Sequence, residues 1–268
     1  MRNLGKEMKL ALYQVDAFAE QAFEGNPAAV VPLESWLEEG TMQAIAEENN
    51  LAETAFFVPT KTGFHIRWFT PTKEVNLCGH ATLASAFVLF NILGFEAEEI
   101  TFDSLSGLLS VTKKGELLTL NFPCQKPVQC EIPQALIDGL GLRPIECYKF
   151  EDYVAVFERE EDITNIVPNH SSLEQLDLRG VIVTAPSSHY DFVARFFAPK
   201  YGIPEDPVTG SAYTKLIPLW SEKLNKLQLN AKQLSARGGK VQCELQGDRV
   251  LISGSAVKYM EATIELDK

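Results

Sequence analysis

Apolar and polar residues alternate along residues 9–17 (KLALYQVDA), a spacing that predicts a β-strand. The turn signal Gly25-Asn26-Pro27 follows, and residues 28–33 (AAVVPL) predict a second strand. Residues 37–49 predict a helix, and the β-formers of 54–58 (TAFFV) and 64–70 (FHIRWFT) two more strands. The segment 79–93 (GHATLASAFVLFNIL) predicts a helix that is apolar almost all round, so it must be buried on every side. Strands are predicted at 99–103, 107–112 and 117–122, with a hairpin at Lys113-Lys114-Gly115-Glu116. The proline-containing stretch 122–128 (FPCQKPV) predicts a linker. Beyond it come a short helix at 133–140, strands at 153–157, 181–184 and 192–197, and a helix at 211–224 kinked or interrupted by Pro218. Strands at 240–245, 250–253 and 261–266 complete the pattern.

The second half repeats the first. Arg67-Trp-Phe-Thr-Pro71 matches Arg195-Phe-Phe-Ala-Pro199, and Cys78-Gly79-His80-Ala81 matches Thr209-Gly210-Ser211-Ala212. Gly79 and Gly115 are 36 positions apart, Gly210 and Gly247 are 37. Another glycine, Gly107 or Gly239, lies eight positions before each hairpin glycine. A long period seen twice predicts two similar domains rather than a solenoid. The expected boundaries are 1–122 and 129–268, with a C-terminal strand free to return to the first domain. The expected fold class is α+β: two pseudo-symmetric domains, each a β-barrel-like sheet wrapped around a central apolar helix. The halves are expected to face each other across a ligand-binding cleft.

Composition narrows the function classes. Of 268 residues, 46% are hydrophobic and 22% charged, which excludes a disordered chain, a collagen and a simple coiled coil. No apolar run approaches the roughly 20 residues of a membrane helix. A net charge of −12 with no basic cluster argues against a nucleic-acid partner. Five cysteines, an odd count with no CxxC, and a start without an apolar signal core fit reduced thiols in the cytoplasm. Cys124, Cys130, Cys147 and Cys243 show no pairing pattern and are expected to be structural. The four histidines are scattered without HxxxH or HExxH spacing, so no metal site is expected. GxGxxG, GxxxxGK[ST] and GxSxG are absent, so no cofactor is expected and any chemistry is acid–base work.

Candidate chemistry gathers at the repeated loops. Gly79 and Gly210 open helices, whose free N–H groups and positive dipole end favour an anion such as a carboxylate. Taken singly, either glycine need only permit a tight turn; their symmetry favours function. Glu53, just before an apolar strand, is either a partly desolvated general acid/base or a turn glutamate on the surface. His80 and Asp206, from different halves, can orient a substrate and tune its protonation. Asp206 can equally cap its loop, and Ser211 its helix. Cys78 precedes a helix start, where a thiol is acidified. Its repeat counterpart, Thr209, cannot act as a base near neutral pH, so a symmetric two-thiol racemase is not supported.

Taken in order, Gly25-Asn26-Pro27-Ala-Ala-Val-Val, Asn50-Leu-Ala-Glu53-Thr, Arg67-Trp-Phe-Thr-Pro, Cys78-Gly-His80-Ala-Thr-Leu and Glu205-Asp206-Pro-Val-Thr-Gly-Ser211-Ala resemble the phenazine-biosynthesis PhzF-like isomerases. The resemblance spans nearly the whole chain and implies the diaminopimelate epimerase fold. It implies a cofactor-independent isomerase in which Glu53 shuttles a proton between carbons. His80, Asp206 and Ser211, with Asn26, would bind or orient the substrate, while Gly79 and Gly210 offer N–H groups to its carboxylate. It further implies a homodimer. The substrate class expected is a small cyclic or unsaturated amino or carboxylic acid. Two alternatives stand beside it: a racemase or epimerase using Cys78, and a non-catalytic protein that binds a metabolite or partner.

Overall fold

The computed structural model describes residues 8–266. In chain order the elements are β1 (Met8–Ala17), β2 (Asn26–Pro32), α1 (Glu39–Asn49), β3 (Glu53–Pro59), β4 (Phe64–Phe69), β5 (Glu74–Val75), α2 (Gly79–Phe87), β6 (Glu99–Ser104), β7 (Gly107–Lys114) and β8 (Leu117–Pro123). There follow β9 (Val128–Gln129), α3 (Gln134–Leu140), β10 (Glu146–Lys149), β11 (Tyr153–Val156), α4 (Glu160–Thr164), α5 (His170–Leu173), β12 (Val181–Pro186), β13 (Phe192–Ala198) and β14 (Ile203–Asp206). The chain continues with α6 (Gly210–Leu224), β15 (Gln228–Gln233), β16 (Gly239–Gln246), β17 (Arg249–Gly254) and β18 (Ala256–Leu266). Contacts divide the described residues into two units. The first holds residues up to 23, 27–120 and from 255 on; the second holds 24–26 and 121–254.

In the first unit β1 pairs antiparallel with β18 from Met8↔Leu266 to Ala17↔Ala256, with a bulge between Gln14 and Val15. β2 and β3 are parallel, β3 and β4 antiparallel, and β4 runs parallel to β6. β6, β7 and β8 continue as a meander. Helix α2 enters between β5 and β6, and every residue from Gly79 to Ala86 is buried. It touches β1, β3, β7 and β18, strands drawn from across the unit, which is why it has no polar face. A second core layer sets Met42, Ile45 and Ala46 of α1 against Leu12, Val31, Phe56 and Phe69.

The second unit repeats that wiring. β11 and β12 are parallel, β12 and β13 antiparallel, and β13 runs parallel to β15, with α6 between β14 and β15. β15, β16 and β17 form the meander. The turn glycines correspond: Gly115 has φ +62° and Gly247 φ +61°, a left-handed conformation that favours glycine. The repeated arginines also correspond. Arg67 grips Glu74 of β5 with Nε at 2.7 Å and Nη2 at 2.6 Å, and Arg195 grips Glu205 of β14 at 2.7 and 3.0 Å. Each guanidinium lies over the phenylalanine two residues on, Phe69 at 5.1 Å and Phe197 at 4.9 Å.

Two helices depart from the sequence pattern. The first stops as an α-helix at Phe87 and closes with a π-helical turn over Val88–Ile92, marked by the Leu93 N–H donating to the Val88 carbonyl at 2.9 Å. The second, α6, runs unbroken through Pro218. Proline at 218 cannot bond the carbonyl of Thr214. That carbonyl instead accepts the Gln125 N–H at 3.0 Å, so the lost helix bond is replaced from outside. Strands β14 and β15 went unmarked in the pattern. β15 (QLNAKQ) does alternate, burying Leu229, Ala231 and Gln233, but its inward residues include a small and a polar one.

Candidate active site

Glu53 opens β3 directly after α1 and its left-handed C-cap, Asn50. Its position at the strand mouth leaves the side chain 13% exposed, a partly desolvated carboxylate. Helix α2 starts one loop further along the sheet, with Cys78 as its extended N-cap residue and Gly79 and His80 in its first turn. The Cys78 carbonyl accepts both the N–H and the hydroxyl of Thr82, at 3.1 and 2.6 Å, which fixes the turn. The Cys78 side chain makes no cap bond to the helix. It faces His80 instead.

Glu53, Cys78 and His80 therefore meet inside the first unit. His80 Nε2 lies 3.2 Å from Glu53 Oε2, and His80 Nδ1 lies 3.5 Å from Cys78 Sγ. Burial pushes the His80 imidazole down to about 3, so it is neutral at ordinary pH. A neutral imidazole carries one N–H and one lone pair. The carboxylate beside Nε2 favours the proton there, which leaves Nδ1 to accept the Cys78 thiol proton. The three side chains thus form a chain from thiol to imidazole to carboxylate.

Among the described residues, these are also three side chains whose possible metal-ligand atoms lie within 4.8 Å of one another. The thiol and the carboxylate meet different nitrogens of the one ring, an arrangement that also suits passing a proton from group to group.

The second unit assembles Asn26, Asp206, Thr209, Gly210 and Ser211. Asp206 ends β14, and Gly210 and Ser211 begin α6. Asp206 is buried; it accepts from Asn26 Nδ2 at 2.8 Å and from the Thr209 hydroxyl. Asn26 also donates to the Val208 carbonyl at 2.9 Å, so its amide is fixed in orientation. Burial raises the Asp206 carboxyl to about 6, against the lowering pull of Thr209, Asn26 and the Arg179 charge. Thr209 is the N-cap residue of α6, yet its hydroxyl serves Asp206 rather than the helix. Ser211 does not cap the helix either: its Oγ accepts from Arg179 Nη2 at 3.0 Å.

Sequence reasoning missed the braces behind these residues. Gln233 of β15 accepts the Thr209 N–H at 2.9 Å and donates to the Asp206 carbonyl at 2.8 Å. Arg179 is clamped by Asp152 at 2.8 and 2.6 Å. Buried Lys215 adds a contact to Asp152 at 3.2 Å and donates to the Ser211 carbonyl at the same distance. Burial pushes the Asp152 carboxyl up, but Arg179 and Lys215 outweigh it and hold it below the ordinary range. Lys215 stands four residues beyond Ser211, one helix turn on, a spacing open to a closer reading. Arg179 sits in a loop and Gln233 in an unmarked strand, so neither carried a signal.

Each unit thus presents a small-residue helix start with polar side chains beside it, built on the same strand wiring, which defines a two-repeat α+β fold. A family model described as "Phenazine biosynthesis-like protein" matches residues 15–262. The chain belongs to this phenazine biosynthesis-like family. It is 48% identical over 259 residues to an uncharacterized isomerase of Pseudomonas aeruginosa, covering 97% of this chain and 100% of the relative. A crystal structure of a PhzF-family phenazine biosynthesis protein from Enterococcus faecalis superposes with a TM-score of 0.95 at 48% identity, covering 97% of this chain and 100% of that one. The fold is shared more widely. A hydroxyproline epimerase from Agrobacterium vitis, with bound trans-4-hydroxy-L-proline, has a TM-score of 0.63 at 11% identity, covering 97% and 93% of the two chains.

Proposed function

We propose that this protein is a cofactor-independent isomerase that moves a proton between carbons of a small cyclic or unsaturated amino or carboxylic acid, with Glu53 as general acid/base. The observation that carries the reading is the half-buried Glu53 carboxylate 3.2 Å from a neutral, buried His80 at the mouth of helix α2. Membership of a family with relatives named isomerases supports the reaction class.

In this reading Glu53 takes a proton from an acidified C–H, and the electron pair passes into the substrate's conjugated or carboxylate system. Glu53 then returns the proton to a second carbon, and no net charge is left behind. His80 is too buried to become an imidazolium at neutral pH, so it assists as a neutral N–H donor rather than as a cation. In each unit the helix start, at Gly79 or at Gly210, offers first-turn N–H groups suited to a carboxylate. Asp206, Ser211 and Asn26 are assigned to orienting the substrate. Asp206, with its raised carboxyl, holds a proton below about pH 6 and loses it above.

A second reading makes Cys78 a base in racemisation or epimerisation. Its thiol stands 3.5 Å from His80 Nδ1, a geometry that permits proton transfer between them. The Glu53 reading is preferred because a neutral His80 with a carboxylate beside Nε2 presents Nδ1 to the Cys78 thiol, which keeps Cys78 a donor. Thr209 at the repeat position offers no second thiol.

The test is incubation in D2O with a panel of small cyclic and unsaturated amino and carboxylic acids, followed by NMR. Protein-dependent deuterium incorporation at carbon, insensitive to thiol alkylation, is the expected result. Incorporation abolished by alkylation favours the Cys78 reading. Compounds that raise the melting temperature without any exchange favour a binding protein.

A further inference from the structure

Far from Glu53 in sequence, and within the second unit, two of the remaining cysteines stand opposite each other. Strands β9 and β10 pair antiparallel through Tyr148↔Gln129 and Lys149↔Val128. The next position in that register sets Cys147 against Cys130, and the Cys130 N–H donates to the Cys147 carbonyl at 2.9 Å. Their sulfurs are 3.6 Å apart, with Cys130 directed at Cys147. Directly opposed antiparallel residues have Cα atoms about 4.5–5.5 Å apart. That lies inside the range of about 4.4–6.8 Å that a disulfide spans. Closing the bond requires the sulfurs to approach to about 2.05 Å, a movement small enough for side-chain rotation.

We propose that Cys130 and Cys147 form a reversible dithiol–disulfide site, oxidised by thiol–disulfide exchange with a small-molecule disulfide. The two sulfurs are built for unequal roles. Cys130 is half-buried, just beyond a two-residue strand, and is the more exposed of the two. Cys147 is 1% exposed in the unit's core beside Leu136, Tyr153 and Val183. Burial and the neighbouring Cys130 push the Cys147 thiol up to about 12. Cys130 therefore opens the reaction: its thiolate attacks one sulfur of the small disulfide and releases one small thiol. Cys147 then attacks Cys130 Sγ of the mixed disulfide and releases the second. Two protein thiols and one small disulfide become one protein disulfide and two small thiols, so electrons and protons balance.

The product encloses the segment carrying α3. Cross-linking a loop of this size restricts the unfolded chain, so the oxidised protein gains stability. The other thiols are placed differently. Cys78 and Cys243 are buried, and Cys243 is pushed well above the ordinary thiol range by burial. Cys124, half-buried, has its thiol raised by burial and has no sulfur partner among the described residues.

The test treats the reduced full-length chain with oxidised glutathione at about pH 8. Free thiols are then blocked and the chain is digested at glutamates. Glu131 follows Cys130 and Glu146 precedes Cys147, so the two cysteines fall on separate peptides unless they are linked. The expected result is a Cys130–Cys147 linked pair, reversed by dithiothreitol, with a higher melting temperature for the oxidised chain. Cys147→Ala should retain glutathione on Cys130. Cys130→Ser, at the more exposed position, should fold, show no linked pair and no rise in melting temperature. A wild-type chain that keeps both thiols free, or carries a lasting glutathione adduct on Cys130, overturns the proposal. So does cross-linking of other cysteine pairs to a comparable extent.

Discussion

At the residue scale, burial decides the charge of the groups around the helix starts. His80 has its imidazole pushed down to about 3 by desolvation. Its folded value lies below an unfolded value near 6.5. Its contribution to stability is therefore complete above about pH 6.5 and is lost as pH falls toward 3. NMR of the His80 ring should show no protonation between pH 8 and about 4.5, and His80→Asn should flatten the acid limb of the melting curve. Protonation of His80 near pH 6.5 in the folded protein would contradict this. Asp206 moves the other way. Raised to about 6, its contribution is complete below an unfolded value of about 3.9 and is lost as pH rises through about 6. Because Asn26 donates to this carboxylate, Asn26→Ala should raise the Asp206 titration further. A carboxyl-carbon NMR titration measures it, and an unchanged or lower value would deny Asn26 that role. Sequence reasoning brought out Glu53, Cys78 and His80 one by one. Their meeting was not visible, because it depends on the register between β3 and the loop before α2. The partners of Asp206 and Ser211 were hidden for the same reason: Gln233 and Arg179 are distant in sequence and lack a motif.

At the element scale, the two repeats share a device whose meaning the letters alone did not carry. The matched Arg67 and Arg195 were recognisable as a repeat, but their carboxylate partners lie seven and ten residues on, in short strands that no apolar pattern marks. Structure shows each arginine tying the strand before the helix to the sheet. The second copy is the more deeply set. Arg195 is 10% exposed and also donates to the carbonyls of Ile163 and Ile166, both at 2.9 Å, whereas Arg67 shares itself between Glu74 and the exposed Glu39. Removing a partner from a hydrogen-bonded, largely buried pair is far more damaging than a substitution that keeps the charge and loses only the fork geometry. Arg195→Ala should therefore destabilise by about 3 kcal/mol or more. Arg67→Lys, which keeps the charge, should cost about 1 kcal/mol. Urea denaturation of both variants checks the order; equal losses would contradict it. The apolar run placed the start and the complete burial of α2, but not its change to a π-helical turn after Phe87. Helix prediction failed at Pro218, where a bond from Gln125 repairs what the proline breaks.

At the scale of the whole molecule, the duplication was the most legible feature. Four motif matches in order implied two similar halves, and the strand wiring of the two units repeats step for step. Such a fold hosts more than one chemistry, so the site must carry the functional argument. In the proposed reading that site centres on one carboxylate, Glu53. The direct measurement is deuterium incorporation from D2O into the best substrate of the acid panel, run side by side for the wild type and Glu53→Gln. General acid–base groups contribute typically about 10²–10⁴-fold, so the variant should lose at least two orders of magnitude in exchange rate. Its melting temperature and ligand binding should stay close to those of the wild type. Exchange retained at the wild-type rate in a folded Glu53→Gln protein would contradict the account.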